Sequence, residues 1–457
     1  MTIKVINPYN QSIVAEVTED DATSIETKLT NAQSAYQEWR ALSLDERIQE
    51  VNKGLNYFRE NADSIAEAVT LQMGKPINEA KGELSTLFER ANYMVSIAKD
   101  ALKPDILPDK PGFTRRIEHE PLGVILNLAA WNYPLIIPIN VIIPALLAGN
   151  TVILKHSAKT PLCGQAIAKA FSGLSVEHLV QDLVVEHEAL PAIIEDKRIQ
   201  YVAFTGSVEG GHAVYASTAK TRFIDVGLEL GGKDPAYVAE DADLEFAAEN
   251  IVSGAFYNAG QSCCAVERVY VHEKVADAFL SKVKQAMKAY QTGDPLNETT
   301  TLGPLANKHA LDFLEQQIDD AVKQGATLLA GGKRTENTTG NFFEPTLLMD
   351  VPNHTNLMQE ESFAPIIPIC RVKNDDEALT LMNDSTLGLT ASVWTKDPAK
   401  AEHFAKALQT GTVFQNRCDC LDPALPWTGV KDSGKGASLS KYGFLYVTRR
   451  KSLHFRR

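Results

Sequence analysis

Along residues 21–40, 45–61 and 77–101, apolar side chains recur every three or four positions among charged ones. This spacing predicts three amphipathic helices after a short extended start. Residues 103–112, Lys-Pro-Asp-Ile-Leu-Pro-Asp-Lys-Pro-Gly, are too rich in proline for a helix and read as a linker or an arm leaving a domain. The texture changes after Pro121. Apolar runs at 123–128, 151–155, 201–204 and 223–230 predict buried strands, with helix-like stretches between them. That alternation predicts an α/β fold in which helices cover both faces of a parallel sheet. Such an architecture often serves nucleotides, but it does not by itself give a function. A second alternating series has strands at 267–271, 366–370 and 390–394 and helices at 273–290 and 308–324, which predicts a second unit from about residue 230. The tail from 429 holds a glycine-rich loop and a basic finish, and reads as a surface strand or arm.

Composition narrows the class. The 457 residues are 44% hydrophobic, enough for sizeable cores in two or three domains of ~150 residues each. Lysine and arginine number 45 against 58 acidic residues, a net charge of −13. This balance disfavours nucleic acid and anionic membranes as partners. The start of the chain has neither the basic stretch nor the apolar core of a secretory signal. The apolar run at 134–148 is short and is broken by Pro138, Asn140 and Pro144. Six cysteines, at 163, 263, 264, 370, 418 and 420, are too few for a disulfide scaffold and form no C-x-x-C. The histidines show no metal-binding spacing. A cytoplasmic protein without a structural metal is expected.

Five segments carry candidate chemistry. Gly260-Gln-Ser-Cys-Cys-Ala265 places Cys263 in a polar, glycine-bearing loop whose backbone N–H groups would favour a thiolate and hold an oxyanion; the plainer reading is a small buried side chain. Cys264 beside it reads as a redox partner or a wall residue. Glu229-Leu-Gly-Gly-Lys233 sets a carboxylate in an apolar stretch, where desolvation raises its pKa toward general-base range; alternatively it is a turn with a Glu–Lys pair. Phe204-Thr-Gly-Ser207 joins a strand to a helix N-terminus, which suits a phosphate or is an ordinary serine N-cap, and no G-x-G-x-x-G accompanies it. Trp131-Asn-Tyr-Pro134 is either a packing turn or a way to aim the Asn132 amide at a reacting oxygen. Residues 429–435 have P-loop spacing, but Gly436 stands where Ser or Thr should hold magnesium, so an ATPase is rejected.

Taken in order, Trp131-Asn132-Tyr133-Pro134, Lys155, Phe204-Thr205-Gly206-Ser207, Glu229-Leu-Gly-Gly-Lys233, Gly260-Gln261-x-Cys263, Glu361-x-Phe363 and Gln415-Asn416 resemble the NAD(P)-dependent aldehyde dehydrogenase superfamily, hydrolytic type, over essentially the whole chain. The resemblance implies two Rossmann-like parallel-sheet domains plus a small oligomerisation arm. Residues 1–102 and 122–230 would bind NAD(P), 231–427 would form the catalytic domain, and 103–121 with 448–457 would form the arm of a homodimer or homotetramer. It implies Cys263 as nucleophile, Asn132 as oxyanion donor and Glu229 as the base that activates water. Trp131, Lys155, Ser157, Ala158, Thr205, Gly206, Ser207, Leu230, Gly231, Glu361 and Phe363 would hold the cofactor. Tyr133, Ile137, Ser262, Cys264, Leu421 and Trp427 would line the path of the substrate.

The departures carry information. Where members often have Lys-Pro-x-Glu, this chain reads Lys155-His-Ser-Ala158. Losing that glutamate removes an acceptor for ribose hydroxyls and a charge that would repel a ribose phosphate. NADP is therefore expected to be accepted at least as well as NAD, with Lys155 and Lys159 as partners for the phosphate. Ala364 and Trp427-Thr-Gly stand where glycine and Phe-Gly-Gly are usual. Residues 135–140, after Asn132, are mostly apolar and carry no arginine, which favours an uncharged aliphatic or aromatic aldehyde. Succinate semialdehyde is the alternative, with Arg417 near its carboxylate. Outside this class, Cys263 would serve a non-redox thioesterase or acyltransferase, or the fold would serve binding alone. A regulatory disulfide from Cys263 to Cys418 or Cys420 is a further reading of the cysteines.

Overall fold

The computed structural model describes residues 2–336 and 338–457. The apolar runs of the first series pair as parallel strands: β1 (Val124–Leu128), β2 (Thr151–Lys155), β3 (Val180–Asp182), β4 (Ile199–Thr205) and β5 (Asp225–Glu229). Every residue of β1 and β2 is buried, as strands covered on both faces must be. The strand order is β5-β4-β1-β2-β3. Leu128, the last residue of β1, lies between Lys155 of β2 and Phe204 of β4. The winding direction reverses at β1, and this opens a crevice beyond the carboxyl ends of β1 and β4. Residues 130–134 and 205–207 fall at those two ends.

The second series forms a seven-stranded sheet from β6 (Asp234–Val238), β7 (Val266–His272), β8 (Thr327–Ala330), β9 (Thr346–Met349), β10 (Ile366–Val372), β11 (Thr390–Trp394) and β12 (Thr412–Gln415). Its order is β8-β9-β10-β7-β6-β11-β12, and all pairs are parallel except the edge pair β8 and β9. The chain then returns. β13 (Gly434–Lys435) pairs antiparallel with β5 at the edge of the first sheet. The P-loop look-alike is therefore a turn that stitches the chain's end onto β5, with the Leu230 N–H donating to the Ser433 carbonyl at 3.0 Å. A third, antiparallel sheet joins Asp105–Ile106, Phe113–Pro121 and Thr448–Arg456, so the segment after the proline-rich stretch and the basic tail share one structure.

Two helices govern the crevice. α1 (Ile77–Ala101) is amphipathic, whereas α2 (Ile136–Ala148) is apolar on nearly every side and buried along almost its whole length. The carbonyls at the end of α2 are met by side chains from the N-terminal helices: Trp39 Nε1 donates to Leu146 at 2.8 Å and Arg47 Nε to Leu147 at 2.9 Å. Two elements differ from the sequence reading. The short extended start is a hairpin of Thr2–Ile6 with Ile13–Thr18, and Ala62–Met73 is a helix of its own, set off from its predecessor at Asn61. No helix among the described residues is long and apolar enough to cross a membrane.

Candidate active site

The loop bearing Asn132 is held from α1. Lys75 and Glu83 form an ion pair whose side chains are at most 1% exposed. Glu83 Oε1 also accepts from the N–H groups of Leu135 and Ile136 at 2.8 and 3.2 Å, and so caps the start of α2 from another helix. The Lys75 ammonium lies 4.1 Å from the centre of the Tyr133 ring. The loop 131–135 is thereby fixed by buried charge as well as by packing. Asn132 Nδ2 donates to the Gln261 carbonyl at 3.1 Å, which ties the loop to the turn before Cys263.

That turn is unusual. Asn258 and Ala259 both have φ of 54°, a left-handed conformation costly for residues with a Cβ. It is held by Glu79, which accepts from the Asn258 N–H at 2.8 Å, and by Asn258 Nδ2, which donates to the carbonyls of Asn132 and Gln261. Gly260, at φ 73°, has no room for a side chain, because a Cβ would sit 2.2 Å from the Ala364 carbonyl oxygen. The turn delivers Cys263 half-buried, and its backbone N–H has no partner among the described residues. The Cys264 thiol is pushed far above the ordinary thiol range by its neighbour Cys263 and by burial, and it donates to Asp419 Oδ1 at 3.0 Å. Cys264 is thus a protonated donor in the wall.

Glu229 ends β5. Burial pushes its carboxyl up, while a hydrogen bond from Ser438 Oγ at 2.6 Å, the nearby Arg90 and a longer contact from Thr205 draw it down. The two glycines after it admit close neighbours. A Cβ on Gly231 would lie 2.5 Å from Glu361 Oε2, and one on Gly232 would lie 2.3 Å from the Cys263 carbonyl oxygen. Lys233 does not pair with Glu229, as a simple turn would have it. It reaches Glu267 of β7 at 2.6 Å, in full burial. Glu267 also accepts from the N–H groups of Ser362 and Phe363, at 2.7 and 2.8 Å, and so fixes the loop that carries Glu361. Glu361 accepts from the Gly232 N–H at 3.0 Å, and burial pushes it up to about 8. Phe363 meets Trp131 edge to face, with centres 5.6 Å apart.

These groups share one cavity of about 550 Å³. It is lined by Trp131, Asn132, Tyr133, Ile137, Thr205, Gly206, Ser207, Glu229, Leu230, Gly231, Ser262, Cys263, Cys264, Glu361, Phe363, Leu421 and Trp427, all residues that the family resemblance implies for the site. Ser157 and Ala158 lie elsewhere, in a small cleft with Ile3, Asp182 and Val184, and Lys155 lines neither space. Lys159 donates to the Ala306 carbonyl at 3.4 Å. Arg417 is exposed and contacts Cys420; the arginine in the cavity is Arg90 of α1. Sequence reading missed Arg90. It also missed Asp419, whose carboxylate accepts from both Ser262 and Cys264 and is pushed by burial to about 6.

Known proteins match this arrangement along its length. The model of the aldehyde dehydrogenase family matches residues 1–453. The chain is 35% identical over 447 residues to a succinate-semialdehyde dehydrogenase (NADP(+)) of Deinococcus radiodurans, covering 98% of this chain and 93% of that one. It is 34% identical to the succinate semialdehyde dehydrogenase (NAD(P)+) Sad of Escherichia coli strain K12, with 96% and 94% covered. The crystal structure of lactaldehyde dehydrogenase from Escherichia coli superposes with a TM-score of 0.96 at 32% identity, over 100% of this chain and 96% of that one. Matched in sequence and in fold across nearly its full length, this chain belongs to the aldehyde dehydrogenase family.

Proposed function

We propose that this NAD(P)-dependent aldehyde dehydrogenase works through a thioester on Cys263, with Glu229 as the base that activates water. The observation that carries the reading is the single cavity in which Cys263, Asn132, Glu229 and Glu361 meet. The Cys263 thiolate adds to the aldehyde carbon, forming a C–S bond and moving the carbonyl pair onto oxygen. One amide hydrogen of Asn132 is taken by the Gln261 carbonyl; the other, with the Cys263 N–H, is left to stabilise the oxyanion. A nicotinamide held beside Trp131, Glu361 and Phe363 would supply the acceptor for the hydride of that carbon, which would leave a thioester on Cys263. Glu229 then takes a proton from water as its oxygen attacks, the C–S bond breaks, and the acid departs. The raised pKa of Glu229 suits that role.

The residues present fit a dinucleotide. Gly231 leaves the Glu361 carboxylate the space a Cβ would fill, which suits ribose hydroxyls, and Trp131 with Phe363 offers a flat apolar wall. Gly206 and Ser207 open the helix Val208–Thr221, whose first N–H groups suit a pyrophosphate. We infer that NADP is accepted at least as well as NAD. The turn at 155–158 carries no carboxylate, and burial pushes Asp182 in the neighbouring cleft up to about 7, which weakens its repulsion of a phosphate. The relatives from Deinococcus and Escherichia, named for NADP(+) and NAD(P)+, support the same reading. Two substrate classes go forward: uncharged aldehydes, supported by the apolar α2, and semialdehydes, supported by the names of those relatives.

The first two sheets are assigned to the dinucleotide and to the thiol. The third is assigned to assembly of a homodimer or homotetramer, since Thr448–Arg456 is an outer strand with most side chains exposed. The test of the reaction is aldehyde-dependent NAD(P)H formation across short, aromatic and carboxylated aldehydes with both cofactors. Loss of that activity in Cys263→Ala is expected. Retention would hand the chemistry to another residue. Thioester hydrolysis without any aldehyde oxidation would favour a thioesterase.

A further inference from the structure

Arg90 sits on α1 with 6% of its surface exposed, and it lines the cavity that holds Cys263. Among the described residues it is the one basic side chain of the cavity lining. Its Nη1 donates to the Asn140 side-chain oxygen at 3.1 Å, in the amide orientation that also lets Asn140 donate to the Ile136 carbonyl at 3.2 Å. Its Nε is buried without a partner, and no carboxylate lies within 4 Å of the guanidinium among the described residues.

Three acids near it are otherwise engaged. Glu83 pairs with Lys75 and caps α2. Glu229 accepts from Ser438, and Asp419 accepts from Ser262 and Cys264. Arginine does not shed its proton, and a buried guanidinium without an anion is costly to the fold. Its planar fork of donors matches a carboxylate in two parallel hydrogen bonds. The apolar α2 favours an uncharged aldehyde, whereas this cation enters the cavity from a different helix.

We propose that Arg90 binds the carboxylate of an aldehyde that carries one at its far end, so that the enzyme selects short ω-carboxy aldehydes over uncharged ones. This rests on Cys263 as the reacting thiol. The test compares 4-oxobutanoate and 5-oxopentanoate with butanal and pentanal, in the wild type and in Arg90→Met. The wild type is expected to favour the carboxylated member of each pair by roughly ten- to a hundredfold in kcat/KM, the span of a charge-assisted hydrogen bond. Arg90→Met is expected to lose that preference, with the larger fall in kcat/KM, carried by KM, on the carboxylated member of each pair. Arg90→Lys keeps the charge without the fork and is expected to fall between them.

Equal wild-type kcat/KM within each pair overturns the proposal without any variant. An equal loss on both members in Arg90→Met also overturns it, and would mean that Arg90 acts on Glu229. If the wild type oxidised no aldehyde at all, the reaction itself would be refuted, which is a different failure.

Discussion

Gly232 is the tightest junction between the proposed base and the proposed nucleophile, and replacing it with alanine isolates that contact. Its φ lies outside the left-handed region, so an alanine there meets no backbone strain. What it meets is the Cys263 carbonyl oxygen at 2.3 Å and Asp234 Oδ1 at 2.8 Å, where Cβ atoms essentially never approach closer than 3.0 Å. The turn bearing Cys263 must therefore retreat by about 0.7 Å. A misplacement near 1 Å costs on the order of a hundredfold in rate, so Gly232→Ala is expected to lose ~10- to 100-fold in kcat/KM. Overpacking should lower the unfolding free energy by about 1–3 kcal/mol.

The neighbouring Gly231→Ala is the control. There the three atoms nearest the Cβ all belong to the end of the Glu361 side chain, and no backbone atom is among them. Its expected effect is a raised KM for the dinucleotide, with kcat and stability nearly kept. Steady-state kinetics, the rate of iodoacetamide alkylation at Cys263 and urea unfolding measure all three quantities. Full activity in Gly232→Ala, or identical behaviour of the two variants, would refute the reasoning.

Glu267→Gln leaves Lys233 buried without its partner, so a loss of about 3–5 kcal/mol in urea unfolding is expected, with a higher KM for the cofactor as the 361–363 loop loosens. A cost below about 1 kcal/mol would show that Glu267 does not carry that loop. His156 is fully buried against the Pro134 carbonyl, and burial lowers it to about 4, so the folded chain keeps a neutral ring where the unfolded chain takes a proton. Its contribution is whole above about pH 6.5 and is lost as pH falls toward 4, by about 3 kcal/mol in all. The difference in unfolding free energy between wild type and His156→Gln should narrow over that window; a constant difference contradicts the assignment.

Much of this architecture is legible in the chain because buried parallel strands leave continuous apolar runs, as in Val124–Leu128 and Thr151–Lys155. Cys263, Glu229 and Asn132 are legible because glycines and turn residues mark them. The helix Ala62–Met73 escapes because Asn61 interrupts the helical pattern without a proline or glycine. Arg90, Lys75, Glu83 and Glu267 escape for a different reason. Arg90 and Glu83, charged at helical intervals, read as solvent-facing, Lys75 between two helices reads as a loop residue, and Glu267 in a strand reads as a surface break. Their burial depends on partners that sequence periodicity does not reveal. Glu267 meets Lys233 across 34 positions and the Ser362 N–H across 95. Arg90 faces Asn140 across 50 positions, and only the packing of α1 on α2 brings its guanidinium to the cavity.

The division of labour between Cys263 and Glu229 is tested most directly by trapping the intermediate. Glu229→Gln keeps the shape of the carboxyl and removes its basicity. Mixed with aldehyde and cofactor, it is expected to give one equivalent of NAD(P)H in a burst. Steady turnover should then be slowed by about 10²- to 10⁴-fold, the usual worth of a general base. Intact-mass spectrometry with peptide mapping should place one acyl group on Cys263. An acyl group on Cys264, Cys418 or Cys420, or a steady rate equal to that of the wild type, would contradict the account.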